Sequence, residues 1–120
     1  MRFLILRSGV PSHDGRSNRA FVDALQAYED DLRGAGVVLA AEGLHPSRTG
    51  TRLRFGGASG PTTLEAPFTE PTDVSGFYIL DVRSEADAIE WARRCPVDVG
   101  LLAGERVDVD VRRIEDGPRR

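Results

Sequence analysis

Apolar residues recur at helical spacing in two stretches of the chain. The first stretch places four of them on one helix face: Phe21, Leu25, Tyr28 and Leu32. This spacing predicts a helix from about residue 18 to residue 33. A second helix is predicted over residues 85–94, because Ser84 can cap its start and Pro96 prevents its continuation. Each helix carries a single apolar stripe and therefore packs against another layer.

Short apolar or alternating runs predict strands around the two helices. In chain order they cover residues 3–6, 37–41, 52–55, 62–65, 77–82 and 106–112. The third and fourth runs flank a glycine-rich turn and form a hairpin. With the hairpin counted as one unit, the order is β-α-β-β-β-α-β. This order predicts an α+β fold, a ferredoxin-like sandwich in which two helices cover one face of an antiparallel sheet.

Coverage of only one sheet face predicts self-association. Two helices on one side leave the other side of an open sheet without a covering layer. A second copy of the chain would supply that layer, so we expect a homodimer. The alternating valines of the last strand, Val107, Val109 and Val111, would contribute to one of the two faces.

Length and charge limit the classes of protein to consider. A chain of 120 residues, 40% hydrophobic and 29% charged, fits one globular domain. We predict that domain over residues 1–114, with residues 115–120 as a disordered tail. The net charge of −3, with arginines interleaved among carboxylates, argues against nucleic-acid binding. The longest apolar run is too short to cross a bilayer, so no membrane partner is expected.

Three residue types narrow the chemistry further. All sixteen basic residues are Arg, which excludes lysine Schiff bases and suggests a high-GC bacterial genome. Cys95 is the only cysteine, so the chain has no internal disulfide and a reducing, cytoplasmic location is expected. The two histidines lack metal-binding spacing, and we expect neither a metal nor a cofactor.

Three segments resemble the YCII-related family in its DGPF-type branch. Residues 35–47 read AGVVLAAEGLHPS, residues 65–70 read EAPFTE and lead to GFYILDV at 76–82, and residues 90–96 read EWARRCP. These motifs follow one another in the family's order over nearly the whole chain. The resemblance implies a ferredoxin-like protomer that forms a dimeric α+β barrel through its sheets, and it implies no single common reaction.

The chain also departs from the family pattern. EAPF stands where the family has DGPF, and the lysine that follows this motif in the family is absent. Some YCII-type relatives are proposed to use a His–Asp pair whose histidine lies on the first helix. The predicted first helix here contains no histidine, so that pair cannot be transferred. Family members are often encoded near alternative sigma factors, which suggests regulation as an alternative role.

His45 is the leading candidate for acid–base catalysis, since an imidazole transfers protons near neutral pH and this one follows a predicted strand. Glu42, three residues earlier, would orient it. Asp81 would support it with a raised pKa if it shares a core-facing side with Phe77 and Ile79. The alternatives are a loop histidine bonded to backbone and, for Asp81, a strand end that is wet or paired with an arginine.

Three further side chains are candidates for contact with a small aromatic or anionic ligand: Arg54, Phe68 and Tyr78. Arg54 can instead pair with Asp108 or Asp110, and the aromatic rings can belong to the core or to a dimer interface. Residues 13–14 are a His-Asp couple in a polar loop, which fits a lid, a second acid–base pair or simple turn chemistry.

Two functional hypotheses follow from these candidates. The first is a small-molecule enzyme or binder that uses acid–base chemistry at His45 in a pocket between sheet and helices. The second is a non-catalytic dimeric module that acts through partners, for example in transcriptional regulation.

Overall fold

The computed structural model of the protein describes residues 1–9, 19–58, 60–65, 74–99, 101 and 104–117. In chain order the elements of these residues are β1 (Arg2–Gly9), α1 (Arg19–Gly34), β2 (Val38–Gly43), β3 (Thr51–Arg54), β4 (Thr62–Glu65), β5 (Val74–Asp81), α2 (Glu85–Arg93) and β6 (Val107–Arg113). A short 3-10 turn, Ser47–Thr49, joins β2 to β3. Each helix and strand expected from the sequence is present, with its ends shifted by a few residues.

Four strands form the main sheet, in the order β2-β5-β1-β6, and all neighbours are antiparallel. The two β-α-β units interlock, because β5 lies between β1 and β2 while β1 lies between β5 and β6. This interlocking is the ferredoxin-like arrangement of an α+β fold, and it confirms the fold class expected from the sequence. The hairpin of β3 and β4 forms a separate two-stranded sheet.

Both helices pack on the same face of the main sheet. Alternate residues of β1 and β5 point towards them, and the fully buried side chains include Phe3, Ile5, Tyr78 and Leu80. The same cluster contains Tyr28 and Leu32 of α1 and Ala88 of α2. Each large apolar side chain buried in this layer contributes about 1.5–3 kcal/mol to folding.

Local interactions hold the two helices in place. The Ser84 hydroxyl caps α2 by accepting a hydrogen bond from the Asp87 amide at 3.1 Å, as the sequence predicts. Gly36, at φ 73°, supplies the left-handed conformation that turns the chain from α1 into β2. The buried Tyr28 hydroxyl donates to the Trp91 carbonyl at 2.7 Å and so ties α1 to α2.

The opposite face of the main sheet is apolar at its centre and carries no helix from the described residues. We call it the open face. Leu4 and Leu6 of β1 pair with Ile79 and Phe77 of β5, and all four side chains are half-buried. On β6 the valines lie on the helix side, whereas residues such as Asp110, opposite Leu6, lie on the open face. A ring of charge therefore borders an apolar centre.

The structure corrects the sidedness assumed for β5. Tyr78 and Leu80 face the helices, so Phe77 and Ile79 lie on the open face instead of in the helix-covered core. Asp81 follows their parity and is therefore not a carboxylate buried under the helices. The sequence leaves the side open because both pairs are apolar, and its pattern is the same for either choice.

The domain limits and the location stay predictions. Ile114 donates its amide to the Arg2 carbonyl at 2.9 Å, and Arg2 Nη2 donates to the Glu115 carbonyl at 3.0 Å. The chain is thus still attached to β1 at the predicted boundary, and residues 118–120 of the expected tail lie outside the described residues. Among the described helices, neither has the length and apolar character that crossing a membrane requires.

Candidate functional site

Several polar residues lie together at one end of the main sheet, and we call this end the polar end. Gly43 of β2, Gly76 of β5, Arg7 of β1 and Val109 of β6 form one row across the four strands. The Leu44 amide donates to the Ser75 carbonyl at 2.9 Å, which holds the segment after β2 against β5. His45 follows directly, so β2 delivers it to this end of the sheet.

Arg7 is buried at the polar end, with 6% of its surface exposed. It has the same parity as Phe3 and Ile5 on β1, so its side chain points into the layer between the sheet and the helices. Its Cζ lies 5.6 Å from the centre of the Tyr78 ring. The pairing of β1 with β5 shifts register at Arg7 and Ser8, a bulge that re-aims side chains locally.

The Arg7 guanidinium has few polar partners among the described residues. Nη1 donates to the Ser75 hydroxyl at 3.5 Å, and that hydroxyl donates to the Arg7 carbonyl at 3.4 Å. Nε is buried without a hydrogen-bond partner. None of the ion pairs between described residues involves Arg7. A buried charge with so little compensation costs several kcal/mol.

The groups packed around Arg7 are neutral. Tyr78 meets Tyr28 edge-on, with ring centroids 5.3 Å apart, and burial raises the pKa of both phenols, so both remain protonated. Burial also raises the pKa of the Cys95 thiol to about 11, although the nearby Arg7 charge opposes the shift. The Arg7 guanidinium therefore lies among neutral aromatic and thiol groups, while the charges of Glu29 and Arg94 also act on Tyr78 and Tyr28, respectively.

His45 and Glu42 lie at the polar end but outside the buried cluster. Glu42 pairs with Phe77 across β2 and β5 and so belongs to the open face, while His45 follows three residues later. Both side chains are exposed in the single chain. Glu42 and His45 are thus brought to the same end of the sheet, with Glu42 at the border of the open face.

Asp81 is not brought to this site. It lies at the far end of β5, opposite Arg2, and four residues beyond the Phe77 that pairs with Glu42. At about 3.3 Å per residue this separation is roughly 13 Å. The Asp81 carboxylate is 59% exposed and accepts from the Met1 ammonium at 3.2 Å. It lines an open groove of about 380 Å³ beside α2, away from His45.

The ligand-binding candidates also separate. Tyr78 is 1% exposed and packs against Arg7, whereas Arg54 is exposed on the β3–β4 hairpin, opposite Thr62. The hairpin is not part of the main sheet, so Arg54 is not placed against the aromatic cluster. Phe68 and the couple at residues 13–14 lie outside the described residues. The described residues contain no group of three or more acidic, histidine or cysteine side chains placed to hold a metal ion.

Arg7 is the residue that the sequence interpretation missed. It was read as the polar boundary of a strand ending at residue 6, whereas β1 continues to Gly9. Its spacing of two from Ile5 and four from Phe3 was the available signal, because residues at that spacing share a strand face. A charged residue in phase with buried apolar neighbours marks an unusual position.

The interlocked antiparallel sheet under two helices defines a ferredoxin-like α+β protein with its polar groups collected at one sheet end. The chain belongs to the YCII-related domain family, whose model matches residues 1–112. This confirms the resemblance of the sequence motifs to the YCII-related family. No curated protein matches the chain.

Among solved structures, the chain is similar to 5-chloro-2-hydroxyhydroquinone dehydrochlorinase from Burkholderia phenoliruptrix, which was solved in complex with 2,5-dihydroxybenzoquinone. The two share 19% sequence identity with a TM-score of 0.55, and the match covers 98% of this chain and 96% of that chain. At this identity the similarity supports the fold.

Gly76→Ala tests whether the strand is built to accommodate Arg7. A Cβ at this position would collide with Arg7 Nη2 and lie 2.9 Å from the Glu42 carbonyl. We expect a loss of about 1–3 kcal/mol in the free energy of unfolding, measured by urea denaturation. Gly34→Ala, where an added Cβ meets nothing within 4 Å, is the matched control. Equal stability of both variants would contradict this placement of the guanidinium.

The raised pKa of Cys95 predicts a fall in stability at alkaline pH. The folded state holds the thiol proton more tightly than the unfolded chain, so stability is full below the usual thiol pKa of 9.0 and declines as pH rises towards 11. Urea unfolding of the parent and of Cys95→Ala at pH 8, 9 and 10 checks this. The variant should show a smaller decline, because only the buried tyrosines, which ionise in the unfolded chain around pH 10, still contribute. Parallel pH profiles would show that the thiol is not responsible.

Proposed function

We propose that the protein is a small-molecule enzyme or binder whose ligand occupies the polar end, between the sheet and the helices. The observation that carries the proposal is the Arg7 guanidinium, buried against Tyr78 with an unpartnered Nε at the sheet end where His45 follows β2. A buried cation beside aromatic rings suits a small ligand that is both planar and polar.

In this proposal His45 is the acid–base group. An imidazole at the mouth of the polar end would take a proton from the ligand or return one, and Glu42 would orient the ring. Tyr78 forms the inner wall and stays protonated, so it is not the base. The ligand of the similar dehydrochlorinase structure, 2,5-dihydroxybenzoquinone, is a small planar molecule and gives a first compound to test.

A homodimer through the open face belongs to the same proposal. The apolar centre formed by Leu4, Leu6, Phe77 and Ile79 would meet its own copy, and Glu42 at its border would bring the partner next to His45. Sheet-on-sheet packing of this kind buries an apolar layer about 10 Å thick. The single chain leaves His45 exposed, and the second copy would enclose it.

The non-catalytic interaction module is the second candidate, and one observation favours it. The β3–β4 hairpin exposes Phe55 at 72% and Leu53 at 55%, and it makes only slight contact with the other described elements. A two-stranded hairpin is marginal by itself in water, so this one gains stability from a covering partner. That partner is either the second copy or a different protein.

His45→Ala tests the acid–base role. The parent is first screened with 2,5-dihydroxybenzoquinone and small aromatic acids for turnover and for thermal stabilisation. With a compound that turns over, His45→Ala should lower kcat by roughly 10²–10⁴-fold and remove the imidazole step from the pH profile. His13→Ala is the matched histidine variant. Loss of activity in His13→Ala with full activity in His45→Ala would contradict the assignment.

Light scattering tests the dimer. The parent should have twice the mass of the 13.1 kDa chain at micromolar concentration, and Phe77→Glu should be monomeric because it places a charge in the apolar centre of the open face. Val22→Glu, an exposed apolar position on α1, is the control and should stay dimeric. A monomeric parent rules the dimer out. In the same experiment a monomeric Phe55→Glu assigns the hairpin to self-association, and a dimeric one leaves it for another partner.

A further inference from the structure

We infer that Arg7 binds the oxyanion of the ligand, so that the protein selects small planar molecules bearing a carboxylate or a similar oxyanion. The inference rests on the proposed function, because it takes the ligand to occupy the polar end. It adds the chemical class of the ligand and names the group that recognises it. Arg54, the candidate for anion binding that the sequence offers, is a different residue.

Burial is the first step of the argument. A guanidinium is charged at any physiological pH, and Arg7 keeps 6% of its surface exposed. The Arg7 guanidinium has therefore lost most of its hydration. Desolvating a cation is favourable only if charge or hydrogen bonds replace that water. Structural arginines usually gain a carboxylate partner, and the described residues provide none for Arg7.

The available hydrogen bonds are the second step. The Ser75 hydroxyl accepts from Nη1 at 3.5 Å, which is long for a hydrogen bond, and the Tyr78 ring lies on one side. Nε has no acceptor. Nε and Nη2 share the edge of the guanidinium opposite to Nη1, and two parallel N–H groups on one edge match the two oxygens of a carboxylate.

The placement of the guanidinium is the third step. Gly76 leaves vacant the space that a side chain would fill, and Arg7 Nη2 lies in that space. The flanking Ser75 binds both Nη1 and the Arg7 carbonyl. The side chain is thus seated by two neighbouring residues of β5, and a fixed guanidinium loses little entropy when it binds an anion.

The surroundings are the fourth step. Tyr28, Tyr78 and Cys95 are neutral at neutral pH, because burial raises the pKa of each, and the Glu29 carboxylate, whose charge also acts on Tyr78, pairs with Arg33 at 3.6 Å. Arg54 lacks these properties. It is exposed on the hairpin, where water and salt screen its charge, so it discriminates weakly between an anion and a neutral ligand.

Benzoate and benzamide are the matched probes for this site, since they have the same ring and differ in charge. At constant ionic strength, benzoate should raise the Tm of the parent in a concentration-dependent way and benzamide should not. Arg7→Met, which removes the charge but keeps a long side chain, should weaken benzoate binding by roughly 10- to 100-fold. Arg54→Met is the control and should bind like the parent.

A second variant covers the case in which Arg7→Met does not fold. Arg7→Lys keeps the charge but loses the two-pronged edge, and it should bind benzoate more weakly than the parent. Equal stabilisation of the parent by benzoate and benzamide overturns the inference, as does no stabilisation by benzoate. Loss of benzoate binding in Arg54→Met, with binding kept in Arg7→Met or Arg7→Lys, overturns it as well.

The two proposals fail differently. Arg7-dependent benzoate binding together with turnover that survives His45→Ala removes the acid–base role and leaves the anion site intact. Turnover that needs His45 but tolerates Arg7→Met or Arg7→Lys, with no preference for benzoate, removes the anion site and leaves the acid–base role.

Discussion

One-sided packing of the main sheet is the constraint from which the other features of this protein follow. Because α1 and α2 both lie on the face formed by Phe3, Ile5, Tyr78 and Leu80, that face becomes a dry core. The same alternation sends Leu6 and its neighbours to a face without helices. Sheet ends, where strands are followed by loops, are then the places left for polar chemistry, and within the described part of the chain one end combines a buried charge with a histidine.

Arg7 breaks the rule that governs the rest of the helix-covered layer. Natural sequences keep local and global preferences in agreement, and departures from that agreement concentrate at functional positions. The departure here is supported by its neighbours: Gly76 gives up a side chain, Ser75 turns its hydroxyl inward, and Tyr78 offers a ring face. Because several neighbouring residues accommodate the Arg7 side chain, its burial is a specific feature of the fold.

The sequence predicted the fold well and the site in part, for physical reasons. The helical spacing ending at Leu32 and the Ser84 cap are local signals, and local signals survive folding. Tertiary packing decides which side of β5 faces the core. The sequence of a strand with apolar residues on both sides does not indicate that side. Arg7 was missed because strand ends are poorly marked in a sequence, so a charged residue inside β1 resembled the end of the strand. The placement of His45 and Arg7 at the same end of the sheet depends on the strand register, which no single segment of the sequence encodes.

Trp91 gives this architecture an internal optical reporter. The indole is the only one in the chain, it lies under the Arg94 guanidinium at 4.3 Å, and its backbone carbonyl receives the Tyr28 hydroxyl. The fluorescence of Trp91 therefore responds to separation of the two helices. The indole belongs to α2 and not to the separate β3–β4 hairpin. Emission followed during dissociation of the proposed dimer would distinguish loss of quaternary structure from melting of the helical layer.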